Sequence, residues 1–259
     1  MSDQKNEWHD NALWAASDMS QKGCHLWMLS LVQPDWLIAE CNRHLTMDEV
    51  QRRDRFAFTK LRQRYTIARS MLRVVLSRYV MDEPSNLHFT LGDHGKPYLC
   101  NHQLEFNLSH TGEALLIGVS KEIPVGVDLE CSKREVSSDM LVKSYFHEVE
   151  QTRFRLIQSE AKRQAEFLRL WVCKEAYLKM RGCGLSAGLA SVAISMADER
   201  GVCEVAAAHE FKGQLVSGNT ELDGLPYCYS FCTKEVPREV KKTRFGVFDR
   251  QAWGRFCLI

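Results

Sequence analysis

The chain has 259 residues and 45% hydrophobic content, enough for one large domain or two small ones around a true core. Lys plus Arg total 34 against 33 Asp plus Glu, and the resulting net charge of +1 excludes a chain-wide attraction to nucleic acid or to an anionic membrane. Any anion binding must come from local clustering. No run approaches the roughly 18 continuous apolar residues of a spanning helix. The opening Met1-Ser2-Asp3-Gln4-Lys5-Asn6-Glu7 lacks the order of a secretory signal, so the expectation is a cytoplasmic protein. The ten cysteines are scattered, with no C-x-x-C pair, and read as reduced, mostly buried thiols rather than a disulfide framework or a zinc site.

In chain order, the first forty or so residues carry Trp8, Trp14, Trp27 and Trp36 and one candidate strand from His25 to Val32; core anchoring is the only role assigned to them. From Asp48 to Tyr79, Leu61, Tyr65, Ala68, Leu72, Val75, Leu76 and Tyr79 recur at helical spacing, which predicts one long helix ended by Asp82-Glu83-Pro84-Ser85. Short strands follow at Leu87 to Leu91, Tyr98 to Asn107 and Ala114 to Val119, with turns at Gly92 to Gly95 and Ser109 to Gly112. After Ile123-Pro124 the order repeats: a strand at Val125 to Glu130, a short linker at Cys131 to Ser138, then helices near Asp139 to Gln158 and Ala165 to Met180. Strands near Ala190 to Ser195, Gly201 to Ala207 and Tyr227 to Thr233 close the series. The fold class is therefore α+β, with two similar halves, 1–123 and 124–259.

Four features carry chemistry. In Gly126-Val127-Asp128-Leu129-Glu130 the two carboxylates sit at i and i+2 of a strand and share one face. They repel unless a cation lies between them, and hard oxygen ligands at that spacing suit Mg²⁺; a solvated strand face is the plain alternative. In Trp171-Val172-Cys173-Lys174-Glu175-Ala176-Tyr177-Leu178-Lys179, Glu175 and Lys179 lie one turn apart on a helix dense in apolar residues, so its charged face must meet a polar site. Phe106-Asn107-Leu108-Ser109-His110, with Gly95-Lys96-Pro97 upstream, offers Lys96, Ser109 and His110 as donors to phosphate oxygens. The stretch from Arg52 to Arg78 holds nine Lys or Arg and one acid, Asp54, and reads as a solvated face, a phosphate site or a nucleic-acid contact.

Taken together in this order, F-N-x-S-H, G-x-D-x-E and W-x-x-K-E-A-x-x-K resemble the Sfp-type 4′-phosphopantetheinyl transferases, over about Arg52 to Ser186. The resemblance implies a pseudo-dimer of two α+β halves with coenzyme A in the cleft between them. The 1–123 half would contact the nucleotide phosphates, and the 124–259 half would hold the magnesium site and the catalytic helix. It also implies that Asp128, Glu130 and Glu175 bind Mg²⁺, that Lys96, Ser109 and His110 contact the coenzyme A phosphates, and that Lys179 lies beside the reacting pyrophosphate. Arg64 falls where the family places an arginine for the nucleotide end, with Arg52, Arg53 and Arg55 more loosely placed. Glu150 looks like a further acid on the carrier-facing side, and Gly182-Cys183-Gly184-Leu185-Ser186 resembles the loop after the catalytic helix.

The implied reaction is attack by a serine hydroxyl of an apo acyl- or peptidyl-carrier protein on the β-phosphorus of coenzyme A, releasing adenosine 3′,5′-bisphosphate. Glu175 or a metal-bound water that it orients would accept the serine proton. The implied partners are coenzyme A and the carrier, with no nucleic acid and no membrane, and two halves in one chain suggest a monomer. Three other readings stand beside this one: a non-catalytic coenzyme A or carrier binder, a nucleic-acid binder using the basic helix, and a magnesium-dependent hydrolase of nucleotide pyrophosphates.

Overall fold

Alternation along the central strands sends their two faces to different cores, and this builds the molecule in layers. The structure, a computed structural model, describes residues 7–13, 19–133, 138–183, 188–195, 197–206, 211 and 213–257. The first part of the chain forms β1 (Trp8–Asp10), β2 (Cys24–Ser30), α1 (Asp35–Cys41), α2 (Met47–Asp54), α3 (Thr59–Val80), β3 (Phe89–Leu91), β4 (Pro97–Leu99), β5 (Leu104–Thr111) and β6 (Ala114–Lys121). There follow β7 (Val125–Cys131), α4 (Ser138–Tyr145), α5 (Glu148–Arg155), α6 (Glu160–Arg181), β8 (Ala193–Ile194), β9 (Val202–Cys203) and β10 (Val205–Ala206). The chain continues through β11 (Gln214–Leu222), β12 (Leu225–Thr233), β13 (Val240–Phe245) and α7 (Arg250–Cys257). Trp14 and the Gly184 to Ser186 part of the loop after α6 lie outside the described residues.

One sheet has the strand order β1-β13-β2-β6-β5 and the other β7-β12-β11-β9. On the first sheet, Trp27 and Leu29 of β2 and Leu115 and Ile117 of β6 pack with Leu72, Val75 and Leu76 of α3. Their strand neighbours Cys24, Leu26 and Met28 turn the other way, onto Val125, Val127 and Leu129 of β7 and Tyr227, Tyr229 and Phe231 of β12. The outer face of the second sheet, with Cys228 and Cys232, meets Cys173, Ala176 and Met180 of α6. The layers therefore run α3, first sheet, second sheet, α6. Each half joins a sheet to a 22-residue helix that ends on a left-handed residue, Met81 at φ 56° and Gly182 at φ 67°, so the repeated α+β order of the sequence is also repeated in space.

Three differences from the sequence reading have physical causes. The helix expected over Asp48 to Tyr79 is two helices, because buried Glu49 of α2 needs cations and finds them by folding back onto α3. Arg69 donates to it at 2.8 and 2.6 Å and Arg73 at 2.8 Å. The helix expected over Asp139 to Gln158 is likewise two, since His147 stops α4 and caps α5, with its N–H given to Glu150 Oε2 at 2.9 Å. Lastly, residues 124–259 do not stay in one half: β13 runs parallel between β1 and β2 of the first sheet, and Trp253 and Phe256 of α7 join the core under α3. Among the described residues no helix is long and apolar enough to cross a membrane.

Candidate active site

The site lies where α6 presses on β7, and one glycine permits the approach. A methyl group on Gly126 would stand 2.1 Å from the Ala176 carbonyl oxygen and 2.2 Å from the Met180 nitrogen, so α6 lies on bare strand backbone there. Ser159 starts α6 by accepting the Lys162 N–H, and left-handed Gly182 ends it. Between these caps Glu175 and Lys179 project on the side that meets Asp128.

Asp128 is buried, and its Oδ1 accepts from Lys179 Nζ at 2.6 Å and from the Ser109 hydroxyl at 2.7 Å. Lys179 Nζ also donates to Ser109 Oγ at 3.1 Å, closing a triangle. The other oxygen, Asp128 Oδ2, is buried with no hydrogen-bond partner among the described residues. Glu130 Oε2 accepts from Thr111 Oγ1 at 3.0 Å. Burial pushes the Glu175 carboxyl above its ordinary range, Asp128 and Glu130 push the same way by repulsion, and Lys179 opposes them. Asp128 and Glu130 thus crowd Glu175 beside an unpartnered buried oxygen, and such a donor set is of the kind a hard divalent cation takes. Among the described residues no group of three His, Cys, Asp or Glu side chains is by itself placed to enclose a metal ion.

The remaining expected residues surround this cluster. His110 follows Ser109 in β5 and faces the α3 side, where burial, Lys179 and Arg64 together hold its imidazole below the usual range. Arg64 Nη2 pairs with Glu113 Oε1 at 3.3 Å. Lys96 Nζ reaches the Val125 carbonyl at 3.3 Å and Glu105 at 3.8 Å, and burial lowers its ammonium while Glu105 partly restores it. Its chain lies 3.7 Å from where a Gly182 methyl would be, so the β3–β4 turn rests against the end of α6. Ser109 and His110, adjacent in sequence, thus serve opposite faces of β5.

Glu150 corrects the expectation of a carrier-facing acid. It is fully buried, pairs with equally buried Lys174 at 2.7 Å and accepts the Ile194 N–H at 2.8 Å. Lys174 in turn donates to the carbonyls of Leu189 and Val192, so this pair fastens the segment after α6 to the helix. Glu150→Ala is expected to cost about 3–5 kcal/mol in urea unfolding by stranding the Lys174 charge. Arg52, Arg53 and Arg55 do not reach the cluster: Arg52 lies 5.9 Å from the Tyr65 ring, Arg53 bonds Asp54 and Asn42, and Arg55 caps α2.

Two residues that the motif reading passed over belong with the site. Asn107 Oδ1 accepts the Val127 N–H at 3.0 Å, so Asn107, Ser109 and Thr111, alternate residues of β5, each grip β7. The two strands belong to different sheets, and these side chains stitch the seam between them. Period-two spacing from Ser109 was the signal that could have found both.

Two family models match the chain: "4'-phosphopantetheinyl transferase, N-terminal" over residues 32–122 and "4'-phosphopantetheinyl transferase superfamily" over 124–230. The 4'-phosphopantetheinyl transferase HetI of Nostoc sp. is 36% identical over 166 residues, covering 62% of this chain and 70% of that protein. A putative 4'-phosphopantetheinyl transferase of Synechocystis sp. is 34% identical over 170 residues, covering 64% and 68%. The 4'-phosphopantetheinyl transferase Sfp of Bacillus subtilis is 29% identical over 128 residues, covering 49% and 55%. The carboxylates of β7 and α6 fall inside the second matched region and the β5 side chains that grip them fall inside the first, so the match spans both sides of the seam: the chain belongs to the 4′-phosphopantetheinyl transferase family.

Proposed function

We propose that this chain transfers the 4′-phosphopantetheine group of coenzyme A to a serine of an apo acyl- or peptidyl-carrier protein, with Mg²⁺, releasing adenosine 3′,5′-bisphosphate. The observation that carries the reading is the Asp128 carboxylate, which holds Lys179 through Oδ1, leaves Oδ2 without a partner among the described residues and lies near enough to Glu175 to raise it. Asp128, Glu130 and Glu175 would hold the ion, which when bound neutralises pyrophosphate charge as the leaving phosphate departs. Lys179 brings its ammonium to the same oxygens and stabilises charge that grows during transfer. Glu175, or a metal-bound water that it orients, would accept the proton of the attacking serine. Lys96 and Arg64 would border the nucleotide as cations, with the His110 imidazole beside them as a hydrogen-bond donor. On that placement Lys96→Ala is expected to raise the coenzyme A KM about tenfold and leave kcat within about threefold.

Thr111 and Asn107 act through others. Thr111→Val keeps the shape and removes the hydroxyl that orients Glu130, so kcat is expected to fall about tenfold with little change in the coenzyme A KM, and Thr111→Ser to restore it. The function itself is tested by incubating the protein with coenzyme A, Mg²⁺ and a panel of apo-carrier proteins, and reading intact carrier mass. A gain of one phosphopantetheine that a chelator abolishes is the expected result. Coenzyme A cleavage without carrier would mean hydrolysis instead, and coenzyme A binding with no gain on any carrier would mean a binding protein.

A further inference from the structure

A second cavity, of about 650 Å³, opens under the first two turns of α6, between that helix, the end of α5 and the outer face of the second sheet. Its volume is within the usual range for small-molecule sites. Leu156, Ile157 and Ala165 give it an apolar wall, and Cys228, on its floor, is the cross-strand partner of Glu130. The cavity therefore begins one strand away from the acid cluster, yet none of Asp128, Glu175 and Lys179 lines it.

Its charge is unbalanced. Glu166 neutralises Arg169 through two hydrogen bonds of 2.7 Å. The other two lining cations, Arg153 and Lys162, have no carboxylate partner among the described residues. Arg153 donates from Nη2 to the Ile194 carbonyl at 2.6 Å, but its Nε–H is buried with no acceptor among the described residues. A buried, unanswered guanidinium donor is costly, and a carboxylate is the acceptor whose geometry fits it.

We propose that this cavity is a binding site for a small amphipathic carboxylate of the medium-chain fatty-acid type. The head group pairs with the Arg153 guanidinium with Lys162 beside it, and the hydrocarbon chain lies along Leu156, Ile157 and Ala165. Charge complementarity selects the head, and apolar burial supplies the remainder.

The test is calorimetric titration of the full chain, without coenzyme A or carrier, using decanoate, 1-decanol and decylamine as matched probes. Decanoate is expected to bind saturably with Kd below roughly 1 mM and at least about tenfold more tightly than decanol, with decylamine weaker still. Lys162→Gln, at an exposed position, and Arg153→Gln should each weaken decanoate about fivefold or more and leave decanol unchanged. Ala165→Trp, which sets an indole against Leu156 and Ile157 where the hydrocarbon chain would lie, should abolish both. Equal affinity for decanoate and decanol would overturn the proposal, as would the absence of saturable binding or binding that survives Ala165→Trp. Because no transfer is measured, the outcome is separate from that of the transferase assay.

Discussion

Asp128→Ala is expected to lower phosphopantetheine transfer by about a thousandfold or more, which at 1.36 kcal/mol per factor of ten is about 4 kcal/mol of lost transition-state stabilisation. The side chain lies at the centre of the cluster: it fixes Lys179 and Ser109 through one oxygen and offers the other, unpartnered, to a cation. Its removal loses a metal ligand and also the anion that positions Lys179. Stability should change far less, because the Lys179 side chain is 28% exposed and can turn to water, and because a repelling neighbour of Glu175 is gone. Circular dichroism and urea unfolding check the fold, and carrier mass checks the rate. Asp128→Asn sharpens the test, since it keeps an acceptor for Lys179 and removes only charge. Activity within about tenfold of the unaltered protein in both variants would remove Asp128 from the reaction.

Gly126→Ala is expected to be the most damaging single methyl in the second half. The atoms it would strike at 2.1 and 2.2 Å belong to the backbone of α6, so no side chain can turn aside and the helix itself must lift. Overpacking of this kind costs about 3 kcal/mol or more. The same displacement moves Glu175 and Lys179 away from Asp128, and a shift of about 1 Å at reacting groups can cost about a hundredfold in rate. Urea unfolding and kcat should therefore fall together. A variant that lost stability and kept its kcat would mean that α6 re-seats elsewhere along β7.

The motifs were legible because each is local: period two puts Asp128 and Glu130 on one face, and one helical turn separates Glu175 from Lys179. That these faces meet was not legible, since it depends on the bare backbone of Gly126, and a glycine in a strand reads first as a weakness. Glu150 was misplaced for a related reason: its partner Lys174 is 24 residues away, on α6, and ion pairing across elements leaves no periodic trace. β11 and β13 went unread as strands. Ser217-Gly218-Asn219-Thr220 looks like a turn, and Val240-Lys241-Lys242-Thr243-Arg244-Phe245 looks like a solvated edge. Yet Lys242 is 1% exposed, gives Nζ to the Tyr229 hydroxyl at 2.8 Å and lies between aromatic rings, with its ammonium lowered to about 8 by burial. Only the tertiary fold makes that strand internal.

The return of β13 to the first sheet bears on the order in which the molecule can assemble. The second sheet is drawn from an unbroken stretch, Val125 to Thr233, whereas β2 has β13 as its inner neighbour and cannot be covered until Phe245 has been made. On a ribosome, the half encoded first is therefore the half that closes last. Until then β2 offers an open edge with Leu26, Trp27 and Met28 on its two faces, an exposed template for wrong pairing of the sort that chaperones attend.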